Sequence, residues 1–252
     1  STHIHFPIGH ENVYFSIWNG SAWSSPANAL NNVSISNKME FDFTGDRAII
    51  VWGQDMDNAF EIVNISTNET VNTSTTEDRE IMYSSWDGIS WSLPIRFTNN
   101  SFEDRLPDVI FDDDNTILAW ENIERRSVNI TLNSTENTTV VNETFNITVD
   151  LTEYKILHSL YNGTWSVPEL VTNTNQVEQL ALTENPEENP VLLWQTLSEQ
   201  GTDIFYSVFD EAHDTWGAEK QLTNDSFGDF EYSPVINSNN DVITSFVKTE
   251  VI

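Results

Sequence analysis

Four segments of the chain share one pattern: an alternating apolar and polar run, a tight turn, then a tryptophan. They are Asn12–Pro26, Ile81–Pro94, Ile156–Pro168 and Ile204–Trp216. In the first three, an Asn-Gly or Asp-Gly pair stands before the tryptophan. Such a pair favours a two-residue hairpin turn, because both turn residues must tolerate positive φ. Each segment therefore predicts a pair of antiparallel strands, here called strands c and d.

A second set of segments alternates with the first, and each member ends on an aromatic residue. They are Met39–Trp52, Pro107–Trp120, Glu178–Trp194 and Pro234–Phe246. Each has two apolar runs separated by a polar turn, which predicts a hairpin of strands a and b. The repeating unit is then a–b–c–d, four antiparallel strands. Units of this kind, roughly 40–50 residues long, are typical of β-propeller blades.

The two ends of the chain each supply half of such a unit. A c–d pair at 12–30 opens the chain, and an a–b pair at 233–248 closes it. Pairing the two halves removes two open sheet edges. We therefore expect an all-β, single-domain, four-bladed β-propeller over 1–252, closed by these half-blades. The complete blades are expected at about 34–98, 99–172 and 173–223. The alternatives are a section of a longer array, or half-blades that pair with a neighbouring molecule.

The c–d hairpins resemble the Asp-box repeats of sialidase-like β-propellers, whose pattern is Ser-x-Asp-x-Gly-x-x-Trp. Ser85–Trp91 is that pattern one residue short, and Ser16–Trp23 has its full length with Asn19 in place of Asp. The whole phrase is also similar to repeats of secreted surface propellers of archaea, methanogens especially. The resemblance implies a propeller over nearly the whole chain. It implies little about activity, because the motif is a structural hairpin.

Two insertions, 58–79 and 123–153, separate strands b and c of the first two blades. They alternate Asn, Thr and Ser with Val and Ile, and their Asn-x-Ser/Thr triplets are spaced by four. An even spacing keeps side chains on one face of a strand. The second insertion predicts a projecting β-hairpin with its turn near 136–140, carrying glycans on one face. A sequon-bearing loop without regular structure is the alternative.

The chain has 13 such triplets, more than double the number that its 28 Asn and 50 Ser plus Thr give at random positions. They begin at Asn19, Asn32, Asn64, Asn68, Asn72, Asn99, Asn129, Asn133, Asn137, Asn142, Asn146, Asn162 and Asn224. The pattern favours a secreted, N-glycosylated protein outside the cell. A first residue other than Met is what signal-peptide removal leaves, although a trimmed chain looks the same.

The net charge of the chain limits the classes of partner that it could bind. Forty Asp and Glu against ten Lys and Arg give a net charge of −30. Nucleic acid and anionic lipid are disfavoured, because both need cationic contacts. No apolar run approaches the roughly 18 residues of a membrane span, so no direct membrane insertion is expected. The absence of cysteine excludes disulfides and thiol catalysis.

A sialidase-like activity would need convergent arginines for a substrate carboxylate, an acid, and a Tyr–Glu nucleophile pair. The chain has six arginines, and none recurs at the start of strand a. The net negative charge would also repel an acidic sugar. We therefore expect no enzyme. A glycosidase that uses two carboxylates stays open, because forty candidates are present.

Two clusters have metal-ligand chemistry. His3, His5 and His10 suit a surface Zn²⁺ or Cu²⁺ site, and Asp112, Asp113 and Asp114 suit Ca²⁺. Each also has a plainer interpretation, as an incidental terminal run and as an acidic turn. No cofactor is expected beyond possible Ca²⁺.

Aromatic residues have two roles in this interpretation. Tryptophans recur at two repeat positions, which predicts packing between blades rather than sugar stacking. In contrast, two of the segments that join strand d of one blade to strand a of the next are near copies of each other, namely Thr98–Arg105 and Thr223–Phe230. If a binding surface exists, the copies point to Phe102, Asp104, Phe227 and Asp229.

Together these observations favour a non-catalytic, N-glycosylated structural or interaction protein of an archaeal cell surface or extracellular assembly. Its partners would be other surface proteins or copies of itself. The alternative is a carbohydrate-binding or glycoside-hydrolysing propeller.

Overall fold

The computed structural model describes residues 11–35, 38–56, 63–64, 69–70, 79–112, 115–134, 143–183, 189–197, 201–225, 228–237 and 241–249. Within these ranges the regular structure is nineteen β-strands, all paired antiparallel. In chain order they are β1 Glu11–Phe15, β2 Ala27–Val33, β3 Met39–Thr44, β4 Arg47–Asp55, β5 Val63–Asn64, β6 Glu69–Thr70, β7 Arg79–Trp86, β8 Ile95–Arg96, β9 Glu103–Asp112, β10 Asn115–Ser134, β11 Glu143–Tyr161, β12 Glu169–Thr174, β13 Val177–Thr183, β14 Val191–Leu197, β15 Thr202–Asp210, β16 Thr215–Trp216, β17 Lys220–Gln221, β18 Gly228–Ile236 and β19 Val242–Thr249.

Three large sheets follow one another along the chain. The first sheet has the order β3-β4-β7-β8, and the second has the order β9-β10-β11-β12. The third runs β13-β14-β15, after which the short strands β16 and β17 both pair with β15. Two further sheets have two strands each, the N-terminal pair β1–β2 and the C-terminal pair β18–β19. Each large sheet is a meander of sequential strands, as in a propeller blade.

The Asn/Asp-Gly hairpins form where the sequence predicts them. Gly20, Gly88 and Gly163 have φ of +94°, +93° and +110°, a region that glycine enters without steric cost. In two of these turns the preceding side chain braces the backbone. Asn19 Oδ1 accepts from the backbone N–H groups of Ser21 and Ala22 at 3.0 and 2.9 Å, and Asp87 Oδ1 accepts from those of Ile89 and Ser90 at 2.9 and 2.8 Å. Such local brackets make these turns independent of distant contacts.

Apolar clusters join each sheet to the next. Ile49, Val51 and Ile81 of the first sheet pack against the second. Ile117 and Ile156 of the second pack against the third. Leu30 and Val33 of the N-terminal pair contact the first sheet, and Tyr232 of the C-terminal pair contacts the third. The sheets therefore stack in chain order, and the fold is all-β and propeller-like.

The predicted closure is not confirmed. The N-terminal and C-terminal pairs are separate two-stranded sheets, and no pairing between β1 and β19 joins their described residues. Among the described residues, β1 and β19 each have one edge without a strand partner. Apolar residues beside these edges are exposed, including Tyr14 at 60% and Val247 at 51%.

The second insertion is a long β-hairpin, as its alternating pattern predicts. β10 and β11 stay in register from Thr116↔Tyr161 out to Ser134↔Glu143. Asn146 is opposite Thr131, midway between Asn129 and Asn133. The three sequon asparagines thus occupy positions of one alternation. The turn expected near 136–140 lies outside the described residues, as does most of the first insertion. The described part of the chain holds no helix long and apolar enough to cross a bilayer.

Candidate functional site

The first strands of successive sheets converge on a cavity of about 330 Å³. Residues of β3, β9, β13 and β18 all line it, among them Asp42, Asp108, Leu180 and Ser233. The inner strands of propeller blades meet in a similar way around an axis, and we therefore name this the axial cavity.

Lys38 is the central residue of this axial cavity. Its Nζ donates to Asp108 Oδ2 at 2.8 Å and to the Leu180 carbonyl at 2.6 Å, and it lies 3.1 Å from Glu40 Oε1. One ammonium thus connects the first, second and third sheets. Burying a charge is tolerated only with such compensation.

Asp108 is the carboxyl group with the strongest constraints in this cavity. Burial raises its pKa to about 6, and the Lys38 ammonium opposes that rise. Its Oδ1 accepts from the Val109 N–H at 2.8 Å, and its Oδ2 accepts from the Leu182 N–H at 3.3 Å. With both oxygens engaged, Asp108 joins sheets and is poorly placed to transfer protons to a ligand.

All six arginines lie in the described residues, and each contacts a side chain of the scaffold. Five form ion pairs: Arg79–Glu103, Arg96–Glu80, Arg105–Glu121, Arg125–Glu103 and Arg126–Glu153. Arg47 lies over the Phe111 ring, 5.4 Å from its centroid. The carboxylates of Glu80, Glu103 and Glu121 are almost fully buried. Four of the arginines thus neutralise buried acids, whereas Arg126 pairs with an exposed carboxylate and Arg47 lies on a ring. None of the six, all of them described, lines the axial cavity.

Asp104 is buried, contrary to the expectation that it belongs to an exposed binding surface. Its Oδ1 accepts from Trp120 Nε1 at 2.9 Å and from Asn122 Nδ2 at 2.8 Å, and its Oδ2 accepts from Asn100 Nδ2 at 2.8 Å. Burial raises the pKa of Asp104 to about 6. Its role is to fix the link between the first two sheets onto β10.

Asp229 is buried at the equivalent position of the C-terminal pair, so it too lies off the surface. The register matches, since Asp104 pairs with Asn122 and Asp229 pairs with Lys248. Lys248 Nζ ion-pairs with Asp225 and lies 3.7 Å from Asp229 Oδ1. An ammonium therefore replaces the amide network at this position. Phe227 lies outside the described residues.

The larger cavity, about 680 Å³, lies between the first and second sheets. Aromatic side chains line much of it: Tyr83, Phe97, Phe102, Trp120 and Trp165. The rings of Tyr83, Phe97, Trp120 and Trp165 are in contact, with centroids 5.0 Å apart for Phe97 and Trp165, 5.2 Å for Phe97 and Trp120, and 5.8 Å for Tyr83 and Trp165. Of the three predicted binding-surface residues that the structure describes, Phe102 lines this cavity. Aromatic faces beside amide groups suit polar ligands with apolar faces, such as sugars.

Polar groups complete the lining of this inter-sheet cavity. They include Arg96, Asn99, Asn100, Asn122 and Lys155. Among the described residues that line it there is no Asp or Glu. In a chain with a net charge of −30, such a cavity is the exception.

The recurrent tryptophans pack between sheets, as their repetition predicts. Trp52, Trp120 and Trp194 are fully buried, and Trp216 nearly so. Trp23 is the exception, because 67% of it is exposed.

The predicted metal ligands stay untested. His3, His5, His10, Asp113 and Asp114 lie outside the described residues, and Asp112 ends β9. Within the described ranges, no three His, Cys, Asp or Glu residues are grouped to hold a metal ion.

Five sequon asparagines are described with their side chains, and all five are exposed: Asn19, Asn32, Asn99, Asn162 and Asn224. Four more lie on strands whose side chains are not described: Asn64, Asn129, Asn133 and Asn146. The others, Asn68, Asn72, Asn137 and Asn142, fall outside the described residues.

No protein-family model matches the chain, and no curated protein sequence matches it. Solved structures do. A Hadza microbial sialidase, Hz136, is similar with a TM-score of 0.47 and 11% identity, covering 93% of this chain and 46% of that one. A Trypanosoma rangeli sialidase in complex with sialic acid gives 0.35 and 8%, covering 93% and 46%. A protein of unknown function from Dyadobacter fermentans DSM 18053 gives 0.37 and 11%, covering 86% and 76%.

The chain spans slightly under half the length of the two sialidases.

Proposed function

We propose that the chain is a non-catalytic, N-glycosylated structural and interaction protein outside the cell, built as a ring of four blades. The engagement of the arginines is the observation that carries this proposal. Each contacts a residue of the scaffold. The sialidase-like alternative needs free arginines that converge on a carboxylate. In this chain Arg47, Arg79 and Arg105 connect neighbouring sheets. Arg96, Arg125 and Arg126 pair with carboxylates of their own sheet.

Ring closure is supported by apolar faces that lack a partner. Phe41 and Phe43 of β3 are 51% and 65% exposed, whereas their repeat equivalents Val109 and Phe111 are 2% and 6% exposed. Val109 and Phe111 pack against the preceding sheet. The corresponding face of the first sheet is therefore built to be covered in the same way.

The C-terminal pair carries the complementary face. Val235 and Ile243 are 55% and 50% exposed, whereas their equivalents Ile110 and Ile117 are 6% and 1% exposed because they pack against the following sheet. If β19 pairs with β1, the two bare faces meet. The register of β4 with β7 then predicts Thr244 opposite Ser16. A neighbouring copy, or further blades of a longer chain, would cover the same faces.

The charge and the sequons support an extracellular role. A net charge of −30 and exposed sequons at the hairpin turns keep the outside hydrated and suit an archaeal cell surface or extracellular assembly. Contact with other surface proteins or further copies requires that this charge be screened. Assembly should therefore grow with NaCl or Ca²⁺.

Two measurements test the proposal together. Light scattering is followed across NaCl and CaCl₂ series, and a panel of chromogenic sialosides and glycosides is assayed on the same protein. We expect salt-dependent assembly and no turnover. Robust hydrolysis of any member of the panel would overturn the non-catalytic role, and assembly indifferent to both salts would overturn the assembly role.

The inter-sheet cavity favours a second candidate function, carbohydrate binding. The observations in favour are its contacting aromatic rings and a lining in which none of the described residues is an Asp or Glu. A glycan array distinguishes this candidate, because a purely structural protein would retain none of the arrayed sugars.

A further inference from the structure

Asn99 stands at the rim of the inter-sheet cavity. It is exposed, it lines the cavity, and it begins the triplet Asn99-Asn100-Ser101. Its side chain is therefore both accessible to a glycosyltransferase and adjacent to the aromatic rings.

The backbone around Asn99 is held on both sides. The preceding Thr98 is buried, and its Oγ1 accepts from the Ile81 N–H at 2.8 Å. The following Asn100 donates from Nδ2 to Asp104 at 2.8 Å and from its backbone N–H to Glu80 at 3.0 Å. A group attached to Asn99 thus begins at a fixed point beside the cavity.

The cavity suits a sugar. Phe97, Phe102 and Trp165 offer apolar faces, and Asn99 lies beside them. The lining cations Arg96 and Lys155 are already paired with Glu80 and Glu124, so the rings supply the main contact. The apolar faces of pyranose rings stack on aromatic rings, while their hydroxyl or acidic groups take hydrogen bonds.

We infer that the glycan on Asn99 folds back into this cavity, with its first sugars against Phe102 and Trp165. Covalent attachment makes the contact intramolecular, so even weak stacking is populated at the high effective concentration of a short tether. This inference rests on the proposed glycosylation of the sequons. It adds that one glycan is a structural part of the contact between two sheets.

Asn224 provides a matched control. It occupies the same place in the near copy Thr223–Phe230, and Thr223 makes the same bracket, accepting from the Ile204 N–H at 3.0 Å. Asn224 is exposed and lines neither of the two cavities described above.

The experiment follows enzymatic release of N-glycans from the native protein, site by site, by intact mass and glycopeptide mapping. The glycan on Asn99 should be released at least about tenfold more slowly than the glycan on Asn224, a difference that corresponds to 1.4 kcal/mol in the opening equilibrium. Phe102→Ala should remove most of that difference and leave release at Asn224 unchanged. Circular dichroism confirms that the variant is folded.

Stability gives a second readout. Asn99→Gln should lower Tm by roughly 2–4 °C, while Asn224→Gln leaves it unchanged.

Two results of the release experiment would overturn the inference: equal release rates at Asn99 and Asn224, or slow release at Asn99 that persists in Phe102→Ala. Neither result would overturn the proposed function, because the other sequons would still carry glycans. A bare Asn99 beside occupied sequons elsewhere would likewise overturn the inference alone. Sugar-free sequons throughout would instead overturn the proposed glycoprotein role. The fully glycosylated protein and Asn99→Gln should also differ in their affinity for free oligosaccharide. Equal affinities would mean that the cavity is open in the glycosylated protein, and they would overturn the inference in favour of a sugar supplied by a partner.

Discussion

The interface between the first and second sheets and the bare faces at the two ends of the chain are built from the same repeat positions. In the interior, Val109 and Phe111 are 2% and 6% exposed, but at the N-terminal end their equivalents are mostly exposed. Burial of these positions therefore depends on the neighbouring sheet and not on the residue type. The exposed faces at the two ends of the chain therefore carry the apolar residues of an inter-sheet interface but are not covered by a neighbouring sheet.

The tryptophans show the same contrast. Trp216 is 9% exposed and packs on Phe209, with ring centroids 5.1 Å apart, whereas Trp23 contacts Trp18 and is mostly open. In each interior sheet this tryptophan faces the preceding sheet. For Trp23 that neighbour would be the third sheet of a closed ring.

Replacement of an interior tryptophan should have the largest effect. Trp120→Ala leaves a cavity in a fully buried site and removes a donor from the buried Asp104. We expect a loss of about 3–5 kcal/mol in the free energy of unfolding. Urea denaturation measures it, and a loss below about 1 kcal/mol would contradict the packing described for the interior interface.

Lys38→Met tests the junction of three sheets. Removing the ammonium leaves Asp108 buried beside the Leu180 carbonyl without its cation, which should cost about 2–4 kcal/mol. Lys155→Met removes a more exposed pair with Glu124 and serves as the control, with an expected loss of about 0–1 kcal/mol. Equal losses in the two variants would show that the axial junction is not special.

Trp23→Ala sharpens the comparison at the terminal face. If the ring closes, Trp23 is buried as Trp216 is, and the loss should be about 2–3 kcal/mol in denaturant unfolding. A residue that stays exposed would give roughly 0.5 kcal/mol or less. The smaller value would contradict closure within one chain.

The smallest effect concerns pH at the axial cavity. Burial raises the pKa of Asp108 to about 6. A carboxyl group with a higher pKa in the folded state stabilises the fold below its unfolded pKa, near 4, and that contribution is lost as pH rises through about 6. The difference in unfolding free energy between wild type and Asp108→Asn should fall by about 1–3 kcal/mol between pH 4 and 7. A difference that stays constant over this range would contradict the raised pKa.

Local patterns predicted the strands well, because the information is local. The Asn/Asp-Gly turns need only positive φ and a bracing side chain, and the alternation of the second insertion needs only two paired strands. Closure could not be confirmed in the same way, since it depends on residues more than 200 positions apart.

The axial junction and the Asp104 network were missed for a related reason. Lys38 acts on partners 70 and 142 positions away, which no local pattern marks. A signal for the network did exist in the near copies. Asn100 and Asn122 of one repeat correspond to Asp225 and Lys248 of the other. Because both positions change together, from an amide pair to an ion pair, they indicate a buried contact rather than a binding surface.

A disulfide tests ring closure most directly, since the chain has no cysteine of its own. Ser16→Cys combined with Thr244→Cys places thiols at positions that the interior register makes opposite, and Ser16→Cys with Ser245→Cys is the off-register control. The account predicts rapid, intramolecular oxidation of the first pair in a monomer and little in the second. Oxidation only between molecules, or none in either pair, would show that β1 and β19 do not meet within one chain.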